Sequence, residues 1–276
     1  MNFFESIIYG IVSGLTEIFP VSSQANQMVM RQIFGVAQKE PIRDLLVHIA
    51  VLAAILLSCR GLFAKIRREQ VLAHRMRRNP SQIRGLKGVY DMRLVRSAAP
   101  ILLVGLLANL FFKDFYQKRT LFAFVLLING ALTLVPTYMH QGNKDARVMT
   151  SLDGILIGFA AACSAVPGIS RNGAIMFMTL IREADKQNGV IWALMLSVPA
   201  MVVLALLDII AIFTVGVGSV TLLILAGYLV SALFAFIGAF IGVSFIRMLI
   251  SRSDYSVFAY YDFGLALLSF VLYLIA

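Results

Sequence analysis

The sequence predicts an all-α integral membrane protein, a polytopic helical bundle with an inverted repeat, six full spans and two re-entrant broken-helix hairpins. Composition is the first reason, because 60% of the 276 residues are hydrophobic and only 14% are charged. A typical soluble domain is about 45 to 50% apolar and about 25% charged. The second reason is a set of apolar runs near the length of about 20 residues that crosses a bilayer. The third is a pair of matching proline breaks, one in each half.

The first repeat, residues 1–140, opens with two apolar stretches that are each too short to span a bilayer. Phe3–Phe19 ends at the break Pro20-Val21-Ser22-Ser23, and Gln27–Val36 follows it. Three full or nearly full spans are then predicted. They lie near Leu45–Ser58, Leu94–Phe112 and Leu121–Met139.

The second repeat, residues 150–276, has the same order of elements within one membrane domain, 1–276. Leu152–Ala165 is broken at Pro167-Gly168-Ile169-Ser170, Gly173–Ile181 returns, and three spans end at Ala276. A hairpin that re-enters leaves three crossings per repeat, so the second repeat is inverted relative to the first. In such folds, matching Pro/Gly-interrupted segments indicate a binding site near the midplane, because broken backbone is tolerated at that depth only beside protein or a wet cavity.

Basic residues set the orientation. The loop 60–96 contains eleven Lys and Arg residues against Glu69 and Asp91, and the positive-inside rule places it in the cytoplasm. The first hairpin then opens to the outer face. The net charge of +10 does not indicate nucleic-acid binding, because it lies in the loops between apolar runs. Contact of the basic loop with anionic headgroups is an alternative to a topology signal alone.

The first break carries candidate site residues. Glu17 is ionisable within a membrane segment, which is costly and therefore indicates a functional group with a proton, metal or cation partner. Ser22 and Ser23 offer hydroxyls and backbone N–H groups to an anion. A hydrogen bond from each serine to a carbonyl one turn back is the structural alternative.

The second break adds a cation. Arg171 carries a guanidinium fork that binds phosphate oxygens in a bidentate manner. Its neighbours Gly168, Ser170, Asn172 and Gly173 supply close backbone approach and further polar groups. The sequence therefore predicts phosphate recognition here, with a purely structural ion pair between Arg171 and Glu17 as the alternative.

These two motifs carry a family resemblance. Gly14-Leu15-Thr16-Glu17 with Pro20 and Ser22-Ser23, together with Pro167-Gly168-x-Ser170-Arg171-x-Gly173-Ala174, resembles the paired signature of the undecaprenyl pyrophosphate phosphatases, the bacitracin-resistance family. The resemblance extends over nearly the whole chain. It implies a hydrolase of the bacterial inner (plasma) membrane that removes the terminal phosphate of a polyprenyl pyrophosphate carrier lipid for cell-wall synthesis.

The resemblance also implies roles for single residues. Glu17, Ser23, Ser170 and Arg171 stand at catalytic positions, with Ser23 as candidate nucleophile and Glu17 as candidate ligand of a divalent cation, Mg²⁺ or Ca²⁺. Ser22, Gly168, Asn172 and Gly173 join Ser23, Ser170 and Arg171 around the phosphate.

Several positions depart from the family pattern. Ser13 stands in place of an expected glutamate, Asn26 in place of a histidine and Asp262 in place of an arginine. A substitute for the missing histidine is available in Asp44 and His48, which are four residues apart on one helical face. The alternative for that pair is an interfacial position, solvated at a helix start.

The lost groups leave a second function open. Hydrolysis is weakened if no substitute replaces them, because a general acid or base contributes about 10²- to 10⁴-fold. A non-hydrolytic transporter or flippase of polyprenyl phosphate or a related anionic lipid needs none of them, and an inverted repeat suits alternating access.

Overall fold

The chain is all-helical in a computed structural model, which describes residues 1–36, 40–76, 92–111, 119–140, 142, 144, 149–216, 220–250 and 255–275. Eleven α-helices lie in these ranges. They are α1 (Phe3–Ile18), α2 (Ser23–Ile33), α3 (Pro41–Ser58), α4 (Arg60–Met76), α5 (Arg93–Ala108), α6 (Arg119–Tyr138), α7 (Ser151–Ala162), α8 (Arg171–Ile181), α9 (Lys186–Val215), α10 (Leu222–Ile250) and α11 (Ser256–Ile275).

Six of the described helices, α3, α5, α6, α9, α10 and α11, are long and apolar enough to cross a membrane. Large apolar side chains such as Val104, Leu206 and Leu267 are exposed on their outer surfaces, as expected where lipid replaces water. The predicted polytopic bundle is confirmed. The boundaries of the two repeats, 1–140 and 150–276, stay predictions.

One expectation about the basic segment is wrong. Residues 60–96 were expected to form a loop, but Arg60–Met76 is helix α4 and Arg93 begins α5. The helix is amphipathic: Ile66 is buried, whereas Arg60, Lys65 and Arg68 are exposed. The many charges lower the mean hydropathy of the segment, so the average does not indicate the apolar face of this helix. Residues 77–91 lie outside the described residues.

Both broken hairpins form as predicted, because local side chains end one helix and begin the next. Helix α1 ends before Phe19 and Pro20. Pro20 has no backbone N–H and cannot continue the helical hydrogen bonds. Ser22 then caps α2. In the second hairpin a 3₁₀ turn, Cys163–Ala165, follows α7, and Ser170 caps α8. These four helices have 11 to 16 residues, too few to span alone.

Glycines let the entering helix of each hairpin, α1 in the first and α7 in the second, pack tightly on a membrane span. A Cβ at Gly10 or Gly14 would lie 2.3 or 2.1 Å from backbone oxygens of α10. A Cβ at Gly154 or Gly158 would lie 2.1 or 2.5 Å from atoms of α5. Small residues at this spacing allow close backbone approach between membrane helices. The two entering helices therefore use the same packing device.

The two hairpins enter from opposite ends of the bundle. Helix α1 runs parallel to α10, since Gly10 and Gly14 meet Ser231 and Ala235 in the same order. Helix α7 likewise runs parallel to α5. Helices α5 and α9 end at one common cavity, where α3 begins. Helix α10 runs in the same direction as α3, because Tyr228 bonds Glu40 next to the start of α3 and Arg247 bonds Ser58 at its end. Helices α5 and α10, and with them the hairpins, are therefore oppositely directed.

Candidate functional site

A cavity of about 840 Å³ lies where the two breaks meet. Polar side chains from α1, α2, α3, α8 and α9 form part of its wall: Thr16, Glu17, Ser23, Gln24, Gln27, Arg31, Asp44, His48, Ser170, Arg171, Asn172 and Asp208. Apolar residues of α5 and α9 form another part, among them Leu106, Leu204 and Leu207, together with Leu110 just after α5. The cavity is therefore amphipathic, with charge concentrated near the breaks.

Arg171 and Glu17 meet at this cavity, in the ion pair that the sequence offers as the alternative to phosphate recognition. The guanidinium Nη2 of Arg171 lies 3.4 Å from Glu17 Oε2 and donates to the Glu17 carbonyl at 3.2 Å. Both residues are buried, with 8% and 4% of their surfaces exposed. Glu17 offsets the cost of burying this cation. Because both side chains also line the cavity, the pair is accessible to a ligand.

Asn172 joins the two breaks through backbone carbonyls. Its amide Nδ2 donates to the carbonyl oxygens of Glu17 at 2.9 Å and Ile18 at 2.8 Å, at the end of α1. Ser197 of α9 donates to Asn172 Oδ1 at 3.2 Å and accepts from Arg171 at 3.3 Å. The amide of Asn172 thus satisfies carbonyls that the end of α1 leaves unpaired. Its contacts position Arg171 as well as line the cavity.

His48 is buried and pairs with an aspartate other than the expected one. Its Nδ1 lies 2.5 Å from Asp208 Oδ2 on α9, and its Nε2 lies 3.9 Å from Glu17 Oε1. The alternative of a solvated interfacial pair is wrong, because His48 and Asp44 are only 7% and 2% exposed. A second buried ionisable cluster therefore adjoins the Arg171–Glu17 pair.

Asp44 belongs to a separate network. Tyr9 donates its hydroxyl to Asp44 Oδ1 at 3.1 Å, and Arg31 and Arg43 each place a nitrogen 3.9 Å from the Asp44 carboxylate. The Arg43 guanidinium also stacks 4.0 Å from the Tyr9 ring centroid and pairs with Glu40. This network fixes the start of α3 against α1, so Asp44 is held beside the cavity rather than against His48.

Two serines of the breaks cap helices, whereas Ser23 does not. Ser22 accepts from Ala25 N at 3.3 Å and Ser170 accepts from Gly173 N at 3.1 Å, which is the N-cap interaction. Ser22 does not form the alternative bond to a carbonyl one turn back. Ser23 is half-buried, lines the cavity and forms no hydrogen bond with its hydroxyl among the described residues. Ser23 is therefore the serine of the first break that is open to a ligand.

Asn129 and Asp262 connect the two breaks from behind the cavity. Asn129 Oδ1 accepts from the backbone N–H of Ser170 at 2.7 Å, and Asn129 Nδ2 donates to Asp262 Oδ2 at 2.7 Å. The backbone N–H of Ser22 interacts with the same Asp262 carboxyl group. One side chain from α6 and one from α11 thus hold the two capping serines.

Three predicted phosphate ligands and one predicted auxiliary residue lie outside the cavity wall. Gly168 has φ +108°, and a Cβ there would lie 2.8 Å from Val125. Glycine is therefore required here by the backbone conformation and the close packing. A Cβ on Gly173 would lie 3.1 Å from the Pro20 carbonyl, which reflects close contact between the breaks. Ser22 and Asn26 are buried, and Asn26 donates to Ser22 O at 2.9 Å and accepts from Tyr261.

The described residues do not form a metal centre. No group of three or more His, Cys, Asp or Glu side chains in the described ranges could hold a metal ion. Glu17, the predicted ligand, already accepts from Arg171. Mg²⁺ or Ca²⁺ at this site therefore stays a prediction.

Sequence reasoning missed Asp208, Ser197 and Asn129 as site residues. Asp208 carried a usable signal, since an ionisable residue in the long apolar run of α9 indicates function as much as Glu17 does. Asn129 and Ser197 had no comparable signal. Polar uncharged side chains in membrane helices are common, and their partners are set by helix packing.

Known proteins match this chain over nearly its whole length. A family model described as bacitracin resistance protein BacA matches residues 6–268. The chain is 26% identical over 261 residues to an undecaprenyl-diphosphatase of Carboxydothermus hydrogenoformans, covering 95% of this chain and 94% of the relative. It is 28% identical over 275 residues to undecaprenyl-diphosphatase 3 of Bacillus cereus, covering 99% and 98%.

Proposed function

Because this chain belongs to the bacitracin resistance protein BacA family, we propose that it is an undecaprenyl-diphosphatase, a hydrolase that releases the terminal phosphate of a polyprenyl pyrophosphate. The observation that carries this is the buried Arg171 on the cavity wall, 3.4 Å from Glu17. A guanidinium matches phosphate oxygens in geometry and charge. The relatives named undecaprenyl-diphosphatase support the reaction class.

Two helix N-termini complement the arginine. Helices α2 and α8 both begin at the cavity, with Ser23 and Arg171 as their first residues. The first-turn N–H groups of a helix carry partial positive charge and favour a phosphate. Arg171 and these two helix starts together suit a pyrophosphate, which carries more negative charge than one cation offsets.

The cavity also suits a lipid. At about 840 Å³ it falls in the range of about 300 to 1,000 Å³ that is typical of ligand sites. Its apolar wall, with Leu106, Leu204 and Leu207, would contact the first isoprene units. Apolar burial contributes about 25 cal/mol per Å², so the chain adds affinity that free pyrophosphate lacks.

Ser23 is the proposed nucleophile. Its oxygen bonds the terminal phosphorus while the bond from that phosphorus to the bridging oxygen breaks, and the lipid monophosphate leaves with that electron pair. Water then attacks the phosphoserine, which releases inorganic phosphate and restores the serine. The open Ser23 hydroxyl on the cavity wall supports this role, whereas Ser22 and Ser170 are engaged as caps.

The proposed location is the bacterial inner membrane, with the basic segment in the cytoplasm and the cavity open to the outer face. The cavity lies towards the start of α3, where Asp44 and His48 line it, and α4 follows the other end of α3. A cysteine introduced by Arg68→Cys in a Cys163→Ser background tests this orientation. Labelling by an impermeant maleimide only after spheroplasts are lysed supports it, and labelling of intact spheroplasts contradicts it.

Phosphate release tests the activity. Purified protein in detergent is given a C55 or C15 polyprenyl pyrophosphate, with Mg²⁺, Ca²⁺ or neither, and inorganic phosphate is measured against heat-inactivated protein. Release above that control is expected. No release in any condition overturns the proposal. Saturable lipid binding without release, with movement of labelled lipid between leaflets of proteoliposomes, would instead favour the transport alternative.

A further inference from the structure

His48 and Asp208 form a buried pair beside the proposed phosphate site. The reaction proposed above assigns no role to this pair. Of the histidines whose side chains the structure describes, His140 is exposed and His48 is 7% exposed. His48 and Asp208 both line the cavity that contains Arg171. A buried imidazole on the wall of a polar cavity is suited to proton transfer at neutral pH.

The contacts of His48 indicate which ring nitrogen carries the proton. Nδ1 lies 2.5 Å from Asp208 Oδ2, so the carboxylate stabilises the tautomer that is protonated at Nδ1. Nε2 then carries the free electron pair. It lies 3.9 Å from Glu17 Oε1, beyond hydrogen-bond distance, so Glu17 does not engage this nitrogen.

The polar groups around His48 come from three further helices. Glu17 lies on α1, Asp208 on α9, and Arg171 on α8 lies 3.4 Å from Glu17. Asp44 lies one turn before His48 on α3 and is held by Tyr9. Phosphate bound at Arg171 is therefore bordered by the imidazole.

Asn26, at the position where the family resemblance expects a histidine, cannot supply this chemistry. A carboxamide is neither an effective acid nor an effective base at neutral pH, and Asn26 is 3% exposed. Its two polar atoms are engaged, since Nδ2 donates to Ser22 O and Oδ1 accepts from Tyr261. Asn26 contributes to the structure of the first break.

We infer that His48 is the general acid and base of the hydrolysis and that Asp208 positions its ring, an inference that rests on the proposed function. In the first step Nε2 takes the Ser23 proton as the oxygen–phosphorus bond forms, and it returns the proton to the bridging oxygen of the departing lipid monophosphate. In the second step Nε2 takes a proton from the attacking water. It gives that proton to Ser23 Oγ as the phosphoserine bond breaks.

Substitution at His48 with phosphate release as the readout tests the inference. His48→Gln is expected to lower kcat by about 10²- to 10⁴-fold with KM close to that of the parent protein, because Arg171 still holds the phosphate. The exposed His140→Gln is the matched control and keeps full kcat. In His48→Ala, added imidazole is expected to restore part of the rate, whereas Arg171→Ala gains nothing from it.

Asp208 is tested by a double substitution. Asp208→Asn is expected to lower kcat, and His48→Gln/Asp208→Asn is expected to be no slower than His48→Gln alone, because a positioning residue acts only through the group it positions. Losses that multiply in the double variant would overturn the positioning role. Thermal melting of each variant in detergent shows whether it is folded.

The outcomes separate this inference from the proposed function. If the parent protein releases no phosphate, the proposed function fails and the inference fails with it. If the parent is active and His48→Gln keeps its kcat, the inference alone fails. If His48→Ala or His48→Gln loses binding of the lipid pyrophosphate, or if imidazole restores nothing, His48 has a structural role and the assignment is overturned.

Discussion

Arg171 Nη2 lies 3.4 Å from Glu17 Oε2, although the two residues are 154 positions apart in the chain. One side chain comes from the end of α1 and the other from the start of α8, so the contact joins two hairpins that enter from opposite ends of the bundle. Both side chains border one cavity. This contact between a cation and an anion is the structural basis of the proposed phosphate site.

Glu17→Gln separates turnover from binding. The amide keeps the size of the side chain but loses the charge that orients the Arg171 guanidinium. Hydrogen bonds to charged groups are worth about 1.5 to 3 kcal/mol, so we expect kcat to fall about 10- to 100-fold. KM for the lipid pyrophosphate should stay level or fall, because a negative charge near the anion is removed. Steady-state phosphate release measures both constants.

Glu183→Gln is the matched control for that substitution. Glu183 is exposed and pairs with Lys144 at 3.3 Å, so its substitution should leave kcat unchanged. A normal kcat in Glu17→Gln would contradict the role of the pair.

Ser22→Ala and Ser23→Ala should have opposite effects. Ser22 caps α2, and loss of an N-cap costs about 0.5 to 2 kcal/mol, so Ser22→Ala should lower the melting temperature and keep most of kcat. Ser23 lines the cavity without a side-chain hydrogen bond among the described residues. Ser23→Ala should keep the melting temperature and lower phosphate release to the level of heat-inactivated protein. The reverse pattern would remove Ser23 as nucleophile.

Asp262 is expected to stabilise both breaks. Its carboxyl group accepts from Asn129, whose own oxygen accepts from the backbone of Ser170. Asp262→Ala leaves a buried amide donor unpaired, which costs about 1 to 3 kcal/mol. Asp262→Asn keeps an acceptor of the same size. In detergent, the melting temperature should therefore be highest for the parent protein, lower for Asp262→Asn and lowest for Asp262→Ala. Equal melting temperatures of all three would show that the bridge does not stabilise the fold.

Much of the architecture could be predicted because the membrane restricts it. Apolar runs near 20 residues must be spans, and breaks at Pro20 and Pro167 must lie beside protein or a cavity. A buried Arg171 and a buried Glu17 each need a partner of opposite charge. These constraints are local in sequence, so they were visible in the sequence alone.

Other features depend on how helices pack, which the sequence pattern does not specify. Helical periodicity could match His48 with Asp44, but the partner in the structure is Asp208, which lies 160 positions away in the sequence. The register between α3 and α9 determines that contact. The capping roles of Ser22 and Ser170 also depend on where α2 and α8 begin. In sequence, a capping serine and a phosphate-binding serine follow a break in the same way.

Substitution of Arg171 is the decisive measurement, because the proposed recognition of a pyrophosphate lipid depends on this one buried guanidinium. Phosphate release from a C55 or C15 polyprenyl pyrophosphate is compared among the parent, Arg171→Lys, Arg171→Ala and the exposed control Arg60→Ala. We expect full kcat/KM in Arg60→Ala and a partial loss in Arg171→Lys, which keeps the charge without the fork. Arg171→Ala should lose about 10- to 100-fold or more. Release at the parent rate by a folded Arg171→Ala protein would contradict the proposed recognition.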